Sequence, residues 1–204
     1  MKIGEIKIEA IKLMFTNYDF DMGIEDLSNM IHDENYGSYI VNMNGAILRA
    51  LDRIENACVL PLKRMEIPFD LCIVSKHYLR FNTSHIKDLF LIDRIAAEYK
   101  DGQYCGNVGF ESEGEVIVLP KANVDYSILY YPEIKDVNCL DDDAELLIPD
   151  KLARLIPYFI KGDLYQEEEP DLAADARNIF EASLDDLKVQ NQSKQNYIHQ
   201  VYSM

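Results

Sequence analysis

The sequence has no long apolar run, few cysteines and few basic residues. No window approaches the roughly 18 consecutive apolar residues of a membrane-spanning helix, and charges interrupt the apolar residues of the first ten positions. We therefore expect neither a membrane span nor a secretory signal. The cysteines Cys58, Cys72, Cys105 and Cys139 form no CxxC pair. Their wide spacing predicts reduced thiols in an intracellular protein.

Basic residues are outnumbered by acidic ones. The 204 residues include 20 Lys and Arg against 36 Asp and Glu, a net charge of −16. A chain this acidic repels nucleic acid and anionic membranes at long range, which argues against a histone-like or general DNA-binding role. The length predicts one large domain or two small ones, and the hydrophobic content of 48% predicts a globular protein with a real core.

The motifs of common enzyme sites are also absent. The sequence contains no GxSxG, no phosphate-cradling glycine loop and no HExxH. His32 lies beside Asp33 and Glu34, but in a polar loop without a nearby nucleophile. We therefore expect no catalytic residues, and the protein is predicted not to be an enzyme.

Two groups of residues resemble metal ligands in type but not in spacing. Cys72, His77, His85 and Cys105 are zinc-binding types, but their spacing matches no familiar framework. The Asp141–Asp143 run with Glu145 begins like an EF-hand loop, but Leu146 replaces the required glycine. We expect neither a metal nor a cofactor, and interpret the acidic run as a solvated linker.

Helical patterns occupy both ends of the chain. Apolar residues at helical spacing predict helices over residues 2–16 and 38–58, and Pro61 prevents the second from continuing. Another helical pattern begins after residue 148, where Pro157 predicts a kink or a break. Gly162 should weaken this helix further. Pro170 suits the first turn of a last helix, and the polar residues from Asn191 onward predict a tail.

The middle third alternates with the period of a β-strand. Met65 to Ile73 alternate apolar and polar residues, with Pro68 marking an edge or a break. Further apolar runs bounded by turn residues bring the total to about five or six antiparallel strands: residues 78–81, 89–95, 104–110, 116–119 and 126–131.

These patterns predict an α+β fold. The N- and C-terminal helices would form a helical bundle with a small antiparallel β unit inserted between them. The expected domains are the N-terminal helices over 1–60, the inserted β unit over 61–135, the C-terminal helices over 136–190 and a tail over 191–204.

The segment from residue 125 to residue 187 carries a further pattern. A strand ends in Tyr131-Pro132, an acidic linker follows, and a helix starts after Ile148-Pro149, with Leu155-Ile156-Pro157-Tyr158-Phe159-Ile160 further along. Next come the acidic turn Glu167-Glu168-Glu169-Pro170 and a helix with Ala173, Ala176, Arg177 and Phe180. This segment resembles the head–tail connector, or adaptor, proteins of tailed bacteriophages, whose architecture fits about two-thirds of the chain.

The resemblance implies a structural protein of the virion neck. Such proteins form a ring, typically of twelve copies, between the portal protein and the tail or a second neck protein. The ring extends the channel through which DNA passes without being specifically bound. The expected location is the virion neck, and the host cytoplasm during assembly, with no membrane partner.

The resemblance also implies roles for particular residues. The tail would dock onto the portal through aromatic and aliphatic anchors: Tyr197, Ile198, Val201 and Tyr202. Packing in the ring and bundle would use six apolar residues: Ile3, Ile6, Leu13, Leu155, Phe159 and Phe180. Glu167, Glu168 and Glu169 would face the DNA channel, where negative charge keeps DNA from adhering.

Two alternatives remain open at this point. The net charge of −16 also suits an acidic inhibitor or antitoxin-like protein that mimics nucleic acid. Against this, the acidic residues are spread over helices and loops rather than arranged as one stripe. The other alternative is an enzyme whose site carries none of the usual groupings.

Overall fold

The computed structural model describes residues 1–15, 22–99, 104–134 and 137–201, and of residues 104, 105 and 191–201 it describes the backbone alone. The chain divides into two compact units. We call Met1–Leu60 with Ile134–Met204 the terminal unit, and Pro61–Glu133 the β unit. Each unit has its own cluster of buried apolar side chains.

Helices build the terminal unit, and α5 is the element that several others contact. The helices are α1 Ile3–Met14, α2 Leu27–Met30, α3 Gly37–Asn56, α4 Asp150–Ala153, α5 Ile156–Leu164 and α6 Pro170–Val201. Helix α5 contacts α1, α3 and α6. The core-facing residues of α3 recur at spacings of three and four, as in Ile40, Met43, Ile47 and Ile54, so one face of the helix is buried.

The linker before α4 caps the start of α1. The first free N–H groups of that helix, on Ile3 and Gly4, donate to the carbonyls of Ala144 and Asp142 at 3.0 and 2.8 Å. The Glu5 carboxylate accepts the N–H of Lys2 at 2.7 Å. These acceptors satisfy donors that the helix itself leaves unpaired. Residues far apart in the sequence therefore share one backbone hydrogen-bond network.

Gly162 brings α5 close to α6. A Cβ atom at this position would lie 2.5 Å from Cγ of Arg177 and 3.1 Å from the carbonyl oxygen of Ala173. The glycine therefore permits a close approach that any other residue would obstruct. Arg177 covers the contact by donating to the Gly162 carbonyl at 3.1 Å. The residue predicted only to weaken a helix has a packing role.

Strands build the β unit as two antiparallel sheets. They are β1 Lys63–Glu66, β2 Cys72–Val74, β3 Tyr78–Asn82, β4 Leu89–Tyr99, β5 Tyr104–Val108, β6 Glu111–Glu113, β7 Val116–Pro120 and β8 Val124–Pro132. One sheet has the order β1-β8-β4-β5 and the other β2-β3-β7-β6. Alternate residues such as Leu79, Phe81, Ile117 and Leu119 are buried in the common apolar cluster.

The predicted fold class, a helical bundle with a small inserted β unit, is wrong. Two four-stranded sheets among the described residues make this a mixed α and β protein. The helices do not form a bundle, because α2 and α4 have four residues each and α5 has nine. Side-by-side bundle packing needs longer helices than these. The helical stretch that the sequence pattern suggested after residue 148 is divided into α4 and α5 just before Pro157.

Several predicted elements are confirmed and one differs. The helices predicted over 2–16 and 38–58 correspond to α1 and α3, and the break predicted at Pro157 separates α4 from α5. From Asn191, where the sequence predicts a tail, the backbone instead continues α6 to Val201. The low apolar content there gives no amphipathic pattern, although Gln192, Lys194, Gln195 and Gln200 are good helix formers.

Candidate interaction surfaces

The acidic turn between α5 and α6 is the most distinctive surface of the terminal unit. Glu167, Glu168 and Glu169 are all exposed. The backbone of the turn is fixed at Glu169, whose N–H donates to the Tyr165 carbonyl at 2.9 Å. The Tyr39 hydroxyl donates to the Glu168 carboxylate. The structure thus presents three carboxylates on a turn that is tied to α3 and α5.

An aromatic cluster supports this turn. Phe15 contacts Tyr36 and Tyr39 edge-on, with ring centroids 4.8 and 5.3 Å apart, and Tyr165 lies 6.0 Å from Tyr39. The buried Tyr165 hydroxyl donates to the Met14 carbonyl at 2.6 Å. Edge-to-face contacts of this kind add to the stability gained from burying the rings. The cluster joins the ends of α1, α3 and α5 beneath the acidic turn.

Two tyrosines retain their protons to unusually high pH. Burial and the hydrogen bond to Glu168 raise the pKa of Tyr39 to about 12. Burial and the hydrogen bond to Asp88 raise the pKa of Tyr130 to about 12. Because an unfolded tyrosine ionises near pH 10, the folded state holds protons that the unfolded state releases. The corresponding stability is present below about pH 10 and is lost as the pH rises toward about 12.

An absorbance titration of tyrosinate checks this. We expect Tyr39 and Tyr130 to ionise late in the wild-type protein, and we expect both of these late ionisations to be absent from a Tyr39→Phe/Tyr130→Phe variant. A Tyr78→Phe variant, changed at an exposed tyrosine, should keep both. Ionisation of Tyr39 and Tyr130 near pH 10 would contradict the two hydrogen bonds.

The six residues predicted to pack in a ring or bundle fall into two groups. Ile3, Ile6 and Phe180 are fully buried in the core of the terminal unit. Phe180 contacts Phe159 with centroids 5.0 Å apart. Leu13, Leu155 and Phe159 are only partly buried. The partly buried residues can therefore contact another molecule, whereas the fully buried ones stabilise the core of this chain.

Leu13 lines an open groove between α1 and the α4–α5 segment. The groove has a volume of about 690 Å³. Its other lining residues mix acidic, basic and aromatic side chains: Met1, Glu5, Glu9, Asp150, Arg154, Pro157 and Tyr158. A concave surface of mixed polarity at the edge of the core is suited to contact with a protein segment.

The predicted tail anchors have no described side chains. The backbone of Tyr197, Ile198 and Val201 belongs to α6. Tyr202 lies outside the described residues. The last described core contact of α6 is made by the partly buried Leu187, and Val189 is 64% exposed.

The aspartates of the linker have lysine partners. Lys7 is 3% exposed, and its ammonium lies 2.6 Å from the Asp142 carboxylate and 3.0 Å from the Cys139 carbonyl. Lys2 lies 2.8 Å from Asp143. Sequence reasoning missed this arrangement, because a lysine on the apolar face of α1 was the only signal for a buried charge. The interpretation as a solvated linker fails for the half-buried Asp142, whereas Asp141, Asp143 and Glu145 are exposed.

The described side chains form no cluster of three or more residues suited to hold a metal ion. Cys72 and Cys139 are free thiols. Burial raises the pKa of the Cys72 and Cys139 thiols, which makes them less reactive at neutral pH. The side chain of Cys105, a member of the zinc-like set, lies outside the described residues.

The negative charge is concentrated in one unit. The terminal unit contains 12 basic and 25 acidic residues, a net charge of −13, whereas the β unit contains 8 and 11, a net charge of −3. The long-range repulsion of nucleic acid therefore originates mainly from the terminal unit.

No protein-family model matches this chain, and no curated protein sequence matches it either. Among the described residues, no helix is both long enough and apolar enough to cross a membrane. Functional inference for this protein therefore rests on its own surfaces.

Proposed function

We propose that this protein is a structural component of the bacteriophage virion neck. Twelve copies form a ring between the portal protein and the tail or a second neck protein, and the ring extends the DNA channel. The element order along the segment that resembles connector proteins supports this. Strand β8 ends at Pro132, α4 begins directly after Ile148-Pro149, and the acidic turn precedes α6.

The observation that carries the proposal is the length of α6. The helix has 32 residues, but the last described residue that packs on the core is Leu187. Fourteen further residues follow to Val201, a length of about 21 Å at the rise of an α-helix. A helical segment of this length is marginal in water unless it packs against something. Docking on a portal protein would supply such packing.

The distribution of charge suits a channel component. The exposed carboxylates of Glu167–Glu169 belong to the strongly acidic terminal unit. Negative charge along a channel would let DNA slide past, because carboxylates cannot neutralise the phosphates and so release none of the counterions condensed on the DNA. In this role the protein needs no sequence-specific contact with DNA.

Removal of residues 191–204 tests the proposal. We expect the truncated chain to keep its fold, because the described core ends before the deletion, and to bind the portal protein of the same genome roughly tenfold or more weakly. Loss of two aromatic anchors accounts for an effect of that size. Light scattering after size exclusion would measure the complex, with about one copy per portal subunit expected for the full chain.

A second variant is the matched control. Replacing the fourteen residues by a glycine–serine sequence of equal length should weaken portal binding as much as the deletion does. Full binding by the truncated chain would show that the tail does not dock. A full-length chain that stays monomeric beside an intact portal ring would refute the connector role.

The charge of the terminal unit favours one other candidate, an acidic inhibitor that mimics nucleic acid. Such a protein would form a small complex of fixed stoichiometry with a nucleic-acid-binding protein. The same scattering experiment, run with that protein in place of the portal, separates the two functions.

A further inference from the structure

Strand β2 is an edge strand with an apolar, exposed surface. Ile73 is 74% exposed and Val74 41%, and both lie at the free edge of the β2-β3-β7-β6 sheet. Phe69, Leu71 and Tyr78 beside them are also exposed. The edge strands β1 and β6 instead have the sequences Lys-Arg-Met-Glu and Glu-Ser-Glu, and charges of this kind prevent edge-to-edge association. Strand β2 has no such protection.

The backbone of β2 offers one donor and two acceptors at this edge. Ser75 N–H donates to the Tyr78 carbonyl at 2.9 Å, so Ser75 and Tyr78 are a hydrogen-bonded pair. Because such pairs alternate along an antiparallel ladder, the backbone groups of Cys72 and Val74 point away from β3. The Cys72 N–H already donates to the Phe69 carbonyl. The Val74 N–H and the carbonyls of Cys72 and Val74 remain available for a further strand.

We propose that β2 pairs antiparallel with β2 of a second copy of this chain, about a two-fold axis at Ile73. In this register the Val74 N–H of each copy meets the Cys72 carbonyl of the other, which gives two reciprocal hydrogen bonds. Ile73 lies opposite Ile73 of the second copy. An isologous contact requires a self-complementary surface, and the free donor and acceptor satisfy that requirement.

The charges at the ends of β2 are complementary in the same register. Asp70 lies in the 3-10 turn Phe69–Leu71 just before β2, and Lys76 lies in the turn between β2 and β3. Both side chains are exposed. Antiparallel pairing brings the segment before β2 of one copy to the segment after β2 of the other, so Asp70 and Lys76 of different copies lie at the same end of the contact. Opposite charges placed near each other across a strand pair stabilise it.

The other edge of the same sheet is a poorer partner for β2. In β6 only Ser112 directs its backbone groups outward, because Glu111 and Glu113 belong to hydrogen-bonded pairs with β7. Both glutamates are exposed. Pairing β2 with β6 would leave Ile73 opposite a serine, whereas β2–β2 pairing buries the apolar surfaces of both copies together.

A cysteine at the axis tests the register directly. Residues in a non-hydrogen-bonded antiparallel pair have Cα atoms about 4.5 Å apart, within the range that a disulfide spans. The full-length Ile73→Cys variant, with Cys72→Ser to remove the neighbouring thiol, should form a covalent dimer on mild oxidation. The matched control, Arg80→Cys with Cys72→Ser, lies on the same face one strand further from the axis and should not exceed the background of Cys72→Ser alone.

Charge reversal tests the contact without a covalent bond. Asp70→Lys and Lys76→Asp should each weaken dimerisation about tenfold, because each creates two like-charge pairs, and the double variant should restore it. Dimerisation would be measured by light scattering, where the wild-type dimer has twice the chain mass of 23.5 kDa.

The results that would overturn the β2 contact differ from those that would overturn portal binding. A wild-type protein that remains monomeric, a higher oligomer that survives both single reversals, or an Ile73→Cys variant that fails to crosslink would each overturn the β2 contact. This inference goes beyond the neck role and does not depend on it. A dimer that ignores the portal would refute only the connector function, and a monomer that binds the portal would refute only the β2 contact.

Discussion

An Asp142→Ala variant should lose about 3–5 kcal/mol of unfolding free energy. The substitution leaves the Lys7 ammonium buried without its carboxylate, and only the Cys139 carbonyl still accepts from it. A charge taken out of water without a counterion is far costlier than an exposed one. Denaturant unfolding followed by the helical circular dichroism signal would measure the loss.

Two further variants show whether the lost stability comes from the unpaired, buried charge of Lys7. The Asp143 carboxylate, which pairs with Lys2, is 75% exposed. Its removal in Asp143→Ala should therefore lower the free energy of unfolding by at most about 1 kcal/mol. Adding Lys7→Met to Asp142→Ala removes the buried charge and should recover most of the lost stability. Equal losses for the Asp142 and Asp143 variants would show that Lys7 is not buried as described.

A Phe180→Ala variant should lose a similar amount, about 3–5 kcal/mol. Phe180 is fully buried where α6 meets the core, and its ring contacts Phe159. Removal of the ring leaves a cavity that the glycine contact at Gly162 cannot close, because α5 and α6 are already in close approach there. The helical unfolding transition would again report the change.

The neighbouring residue provides the control for this variant. Ile179 is on the same helix but is 47% exposed, and Ile179→Ala should cost less than about 1 kcal/mol. If the two variants were equally stable, α6 would not be held to the core through Phe180. Because α6 carries the predicted portal-docking segment, Phe180→Ala should also weaken portal binding.

Local patterns predicted the elements better than their arrangement. The spacing of apolar residues located α1 and α3, and Pro157 located the break before α5. These are effects within a few residues, where backbone chemistry dominates. The fold class failed because it depends on which elements contact each other. Strand β6, with the sequence Glu-Ser-Glu, has no apolar alternation and is specified only by its pairing with β7.

Surface features, like the elements, were predictable from the sequence only where they depend on neighbouring residues. The run Glu167–Glu169 could be recognised from sequence, since a charge run is visible without any partner. The partner of Lys7 could not, because Asp142 lies 135 residues away. Gly162 shows the limit most clearly. Helix propensity counts it as a weakness, whereas its effect on packing depends on Arg177 and Ala173 of another helix.

The separation of Lys7 and Asp142 in the sequence sets an order of events during translation. At roughly 5–20 residues per second, the ribosome needs roughly 7–27 s to add the 135 residues between them. The whole β unit is synthesised in this interval and can complete its own core. During this interval α1 lacks its later partner α5. The face of α1 that packs on α5 is therefore expected to be accessible to chaperones and proteases until α5 is synthesised.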